Sequence, residues 1–217
     1  MPDVMLETPP PPAADVPDRA RQIVTAAYAL LEEDGLEGLT IRAVLTRTGL
    51  ARRAFYEAFA GKDDLVLAVF EQTICQAAAL YDEKAAQMAD PLEKLRWIVT
   101  AIVLGKGAFD AAATGEGTRR GAALSREHLR LAESRPADLH AALEPLVALI
   151  AQHLSEAIAT GQARPCEVNR HAALIYNLVS TTMHTELLAE EAASHDRERR
   201  LELARDLWEF VRRGIAA

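Results

Sequence analysis

Aromatic residues make up only 5% of this chain of 217 residues, and its cysteines are limited to Cys75 and Cys166. So few rings, with Gly and Pro sparse outside the first seventeen positions, suit helices far better than a sandwich or barrel. Two cysteines far apart in sequence supply neither a disulfide framework nor zinc-ligand spacing, and both are read as packing residues kept as thiols in a reducing compartment. Proline is rare outside the first seventeen positions, which hold six of the ten prolines. Long uncharged runs are also missing. The longest segment free of Asp, Glu, Lys and Arg runs from His171 to Thr185, too short and too polar for a membrane span of about 20 residues. Near the N-terminus, Asp3, Glu7 and Pro9 to Pro12 stand where a signal peptide would need basic and apolar residues, so the expected location is the cytoplasm.

Positive charge is scarce as well: the net charge is −8 and the pI about 5.3. Taken whole, such a chain repels phosphate, and a nucleic-acid role requires a local basic patch. One exists. Residues 40–62 hold Arg42, Arg47, Arg52, Arg53 and Lys62 against Glu57 alone, a net of +4 that leaves −12 for the remainder.

What is abundant is apolar spacing at helical period. Residues 1–17 are proline-rich, cannot bury enough surface to order themselves, and read as a flexible tail. From Asp18 a first helix carries Ile23, Val24, Ala27, Leu30 and Leu31 on one face, with Gly35 placed for a left-handed cap. Thr40 is the expected N-cap of a short helix ending near Gly49, and a second short helix spans about Arg52 to Phe59. A longer helix opens at Gly61 to Asp64, its carboxylates opposing the positive dipole end. Pro91 begins the next, which frays at Gly105, Gly107 or the Thr114 to Gly117 loop. Two further helices follow, one through Leu124, Leu129 and Leu131 up to Pro136 and one up to Gly161. A last pair covers about Glu167 to Ala192 and His195 to Arg213. The expectation is an all-α chain of about nine helices without repeats.

Two short helices joined at Gly49 and flanked by longer ones fit a helix-turn-helix whose second helix enters a DNA groove. Phe55 and Phe59 at helical spacing read as core, while Arg42 and Arg47 suit either solvated surface or phosphate contact.

The stretch Leu39-Thr40-Ile41-Arg42-Ala43-Val44, then Thr48-Gly49-Leu50, Ala54-Phe55-Tyr56-Glu57-Ala58-Phe59 and Gly61-Lys62-Asp63-Asp64-Leu65 resembles the signature of tetracycline-repressor (TetR) family regulators, specifically over about Ile23 to Val69. The resemblance implies a domain organisation: tail 1–17, helix-turn-helix domain 18–64, and ligand-sensing and dimerising domain 65–217. It implies that Thr40 and Tyr56 donate hydroxyls to phosphates and that Lys62 grips the backbone, and Arg42 stands beside them as a further candidate DNA contact. Arg52, Arg53 and Glu57 would project from the recognition helix toward base edges, arginine favouring guanine and glutamate cytosine. Ala51 and Ala58 depart from the pattern, each removing a polar contact that the family usually has.

The implied function is a repressor that binds a palindromic double-stranded DNA operator as a homodimer, with the last two helices at the dimer interface, and is released by a small-molecule effector. Candidate effector contacts are Trp97, Phe109, His128, Tyr176, Asn177 and His184, on helices lining an apolar cavity. No cofactor, metal or membrane partner is expected. No enzyme is indicated: none of the six histidines follows a glutamate by three positions, as a di-iron bundle requires, and neither a G-x-S-x-G elbow nor a phosphate-binding loop is present. The alternative is an adaptor of the same fold without sequence-specific DNA binding, for which Ala51, Ala58 and the proline-rich tail speak.

Overall fold

The computed structural model describes residues 16–108, 118–190 and 197–217. Over these residues the chain forms nine α-helices and no strand. They are α1 (Val16–Gly38), α2 (Ile41–Thr48), α3 (Arg52–Ala58), α4 (Lys62–Ala85), α5 (Pro91–Leu104), α6 (Thr118–Ser134), α7 (Pro136–Ala159), α8 (Val168–Glu190) and α9 (Arg197–Ile215), with a 3-10 turn at Gly105–Ala108 after α5. Most of the expected tail, the Thr114 to Gly117 loop and Phe109 lie outside the described residues.

Local chemistry accounts for several boundaries. The Thr40 hydroxyl accepts from the Ala43 amide at 3.0 Å and caps α2. Asp90 caps α5 through the Leu92 and Glu93 amides at 2.8 and 3.0 Å, and Pro91 fills a first-turn position where no amide hydrogen is missed. Gly35 adopts a positive φ of 68° as expected, but its ψ of −159° lies outside the left-handed helical region. It therefore kinks the chain, and a further helical turn runs on to Gly38.

The apolar residues divide into two cores. One gathers Ile23, Ala27, Leu31, Leu39, Val44, Phe55, Leu65, Val66 and Val69 from α1 to α4. The other holds Leu67, Phe70 and Tyr81 of α4 with Leu95, Ile98, Leu131, Leu146, Ile150, Leu154, Tyr176, Val179, Leu207 and Trp208. Successive residues of α4 thus serve different cores, and the expected boundary at residue 64 falls inside this helix. The second bridge is α6, where Ala123 belongs to the first core and Leu124 packs against both. Leu129, expected on the apolar face of α6, is instead 52% exposed. It precedes the fully buried Leu131 by two positions, about 200° round a helix, so the two cannot share a face.

Candidate nucleic-acid interface

The turn between α2 and α3 is held by its own backbone. Gly49 takes φ 69°, ψ 8°, a left-handed conformation that costs a residue with a Cβ about 1–2 kcal/mol, and donates its amide to the Leu45 carbonyl at 2.9 Å. Thr48 returns its hydroxyl to the Val44 carbonyl at 2.9 Å. Beyond the turn α3 starts at Arg52, and its N-cap, Ala51, contributes no side-chain hydrogen bond. Phe55 anchors this short helix: it is fully buried, meets Tyr56 edge-on with centroids 5.3 Å apart, and lies 5.7 Å from Phe59. Phe55 is a core residue, as expected, and Phe59 is partly buried against the same core.

With Ala54 and Phe55 turned inward, the outward face of α3 presents Arg52, Arg53, Tyr56 and Glu57, all exposed. They form two adjacent i, i+4 pairs. In one, the Arg52 guanidinium lies 5.5 Å from the Tyr56 ring centroid and its Nη2 donates to the Tyr56 hydroxyl at 3.3 Å. In the other, Arg53 Nε donates to Glu57 Oε1 at 2.9 Å. Glu57 Oε2 accepts from Arg19 Nη1 of α1 at 3.2 Å. Arg19 is a residue that sequence reading passed over. Thirty-eight positions separate it from Glu57, and only its charge at the start of α1 hinted at a role.

The other basic residues differ among themselves. Thr40 and Arg42 are exposed at the start of α2, and the capping bond uses the Thr40 oxygen as acceptor, leaving its proton free to be donated. Arg47 turns away to form a two-bonded ion pair with Glu33 of α1, at 2.9 and 2.5 Å, and the same bonds hold the Glu33 carboxyl below the usual carboxylate pKa. Lys62 Nζ donates to the Leu36 carbonyl at 3.1 Å, tying the start of α4 to the end of α1 and leaving two ammonium protons.

Asp63 and Asp64 do more than oppose the helix dipole. Asp64 Oδ2 accepts the Ala60 amide at 3.1 Å and Oδ1 pairs with Arg135 at 2.6 Å, while Asp63 pairs with Arg130 of α6 at 3.2 Å. The start of α4 beside Lys62 is therefore pinned to the distal helices.

The expected effector residues scatter more widely. His128 of α6 and His184 of α8 come together, with ring centroids 4.4 Å apart, and Phe70 lies 5.9 Å from His128. Their Nδ1 atoms are both buried without a hydrogen-bond partner. Burial pushes both imidazoles toward the neutral form, His184 down to about 4 with a further push from His128. Tyr176 is buried in the larger core and burial raises its hydroxyl to about 12, while Trp97 packs at the edge of that core. Asn177 is not brought to them. It is exposed, on the face of α8 that also carries Leu174 and Thr181. Phe109 lies outside the described residues.

Residues 23–69 match the family described as bacterial regulatory proteins, tetR family. No curated protein sequence matches the chain closely enough to count as a relative. Among solved structures, FadR from Bacillus subtilis in complex with stearoyl-CoA is similar with a TM-score of 0.67 and 17% identity, over 88% of this chain and 96% of that one. A TetR-family transcriptional regulator from Agrobacterium tumefaciens gives 0.61 and 22%, over 94% and 100%. RolR in complex with its ligand resorcinol gives 0.64 and 14%, over 90% and 88%. Residues 23–69 are thus a helix-turn-helix domain of the tetR family of bacterial regulatory proteins, carried on a chain with the fold of those regulators.

Proposed function

We propose that the protein is a ligand-responsive repressor that binds a palindromic DNA operator as a homodimer in the cytoplasm. The observation that carries this reading is the outward face of α3, where two arginines and a tyrosine stand exposed beside a glycine turn in a chain that is otherwise strongly acidic. Thr40, Tyr56, Arg42 and Lys62 take phosphates, and the recognition-helix residues Arg52, Arg53 and Glu57 sit where base edges pass. Phosphate contacts alone would give binding that is steeply salt-dependent and indifferent to sequence.

A single recognition helix of seven residues holds DNA weakly, and two placed about 34–36 Å apart read both halves of a palindrome. The surface that supports pairing lies on the last two helices, where Leu174 of α8 is 56% exposed and Phe210 of α9 is 69% exposed. Apolar side chains of this size left in water on the last two helices suit an isologous contact.

For the effector, the His128–His184 pair offers polar anchoring inside an apolar surround, since two buried imidazole nitrogens without partners cost stability until a ligand group meets them. FadR and RolR bind stearoyl-CoA and resorcinol; a small molecule with an apolar body is the corresponding expectation here, with Trp97, Tyr176 and Phe109 as further candidate contacts. Coupling runs through α6, which carries His128 toward the ligand side, Leu124 between the cores and Arg130 onto Asp63. A ligand that prefers a shifted α6 lowers operator affinity by its preference for that state.

The test is titration of labelled upstream DNA at several salt concentrations, with random DNA as competitor. Retained discrimination at about 0.15 M salt supports the repressor. Equal affinity for all sequences supports the adaptor reading, which the missing cap at Ala51 favours.

A further inference from the structure

Glu57 was expected to accept a hydrogen bond from cytosine, yet both of its oxygens are already engaged, Oε1 by Arg53 Nε at 2.9 Å and Oε2 by Arg19 Nη1 at 3.2 Å. Resting on the operator-binding reading, we propose that Glu57 is a positioning residue: with Arg19 behind it, it orients Arg53 so that this arginine reads one guanine in each operator half-site.

The geometry of the guanidinium carries the argument. Arginine has one donor on Nε and two on each terminal nitrogen, arranged in a planar fork. Because Glu57 takes the Nε donor, both terminal nitrogens of Arg53 stay free, and the side chain is 89% exposed. Guanine shows two acceptors, O6 and N7, on its major-groove edge, and a fork of two terminal nitrogens matches them in one plane. An arginine left to swing in water loses rotamer entropy when it docks; one already held at Nε loses less.

The second pair on α3 behaves differently. Arg52 spends a terminal nitrogen, Nη2, on the Tyr56 hydroxyl and lies against its ring. Held against that ring, Arg52 is suited to a phosphate or a single acceptor. Arg53 is therefore the guanine reader of the two. Arg19 supplies what an exposed Glu57–Arg53 pair on one helix would lack, a second anchor from a different element. The Arg19 side chain is 24% exposed and that of Glu57 35%, so the carboxylate is held between α1 and α3 instead of waving in solvent.

The test is selection of binding sites from DNA with randomised half-sites, using the full-length protein and the variants Arg53→Ala, Glu57→Ala, Glu57→Gln and Arg19→Ala. Affinity for random DNA and thermal melting are read alongside. Wild type should require guanine at one position per half-site, by roughly 5- to 150-fold over other bases. Arg53→Ala should erase that preference. Glu57→Ala should reduce it at least threefold while tightening binding to random DNA, since a negative charge near phosphate is gone. Glu57→Gln, which keeps one acceptor, and Arg19→Ala should fall between. Loss of a cytosine preference in Glu57→Ala, with the guanine preference intact, would overturn the proposal and restore Glu57 as a base reader. An unchanged guanine preference in that variant would overturn it too. If the folded wild type selects no sequence at all, operator binding itself fails, and the positioning role falls with it.

Discussion

A single side chain decides how firmly the recognition helix begins. Ala51 occupies the N-cap of α3 and offers no oxygen to the first amides, while the equivalent position of α2 is capped by Thr40. Replacing Ala51 by Ser should stabilise the protein by about 1 kcal/mol, read as a raised melting temperature, and should tighten DNA binding if the hydroxyl also reaches phosphate. His184 makes a second residue-scale expectation. Its imidazole titrates near 6.5 in an unfolded chain and near 4 in the fold, because burial and then His128 oppose its charge. The unfolded state therefore holds more protons between these values. Stability should decline as pH drops through 6.5, level off near 4, and lose up to about 3 kcal/mol from this group. Denaturant melts across that range should show the slope flattened in His184→Gln; an unchanged slope would assign the pH dependence elsewhere.

At the scale of elements, what sequence made legible was what local chemistry controls. The short helices around Gly49 begin and end within a residue of their expected limits, because Thr40 and Gly49 act on amides and carbonyls a few positions away. What needs the packed fold was not legible. Apolar spacing put Leu129 inside, and the packing of α6 turned it out. Residue type alone offers Asn177 as a pocket residue, and α8 turns it to the surface beside Leu174. The Arg19–Glu57 and Arg135–Asp64 pairs join residues 38 and 71 positions apart, beyond any local pattern. Sequence position makes Asp63 and Asp64 complements to the dipole of α4, and the fold adds that they receive Arg130 and Arg135. These ion pairs are solvated, so each contributes little to stability. The double variant Arg130→Ala/Arg135→Ala should therefore melt close to wild type but shift operator affinity, or its response to an inducer, by severalfold. Calorimetry and DNA titration on the same sample separate the two effects; a variant that melts far lower with its DNA response intact would make the pairs structural alone.

For the whole molecule, the two cores meet along α4 and α6, and among the described residues the most exposed large apolar side chains are Leu174 on the surface of α8 and Phe210 on that of α9. If that surface is the two-fold interface, Leu174→Glu/Phe210→Glu should sediment as a folded monomer and bind a palindrome at least tenfold more weakly than wild type, since only one recognition helix engages at a time. Sedimentation velocity distinguishes this from a variant that stays dimeric, which would place the interface elsewhere.

The measurement that bears most directly on the central claim is a mobility shift with DNA from upstream of the protein's own gene, at about 0.15 M salt, comparing wild type with Arg52→Ala/Arg53→Ala and Tyr56→Phe. A discrete complex that survives excess random DNA, disappears with the arginine pair and weakens without the tyrosine hydroxyl is the predicted result. Failure of folded, dimeric wild type to form such a complex with any upstream fragment, or a specific complex indifferent to both arginines, would contradict it.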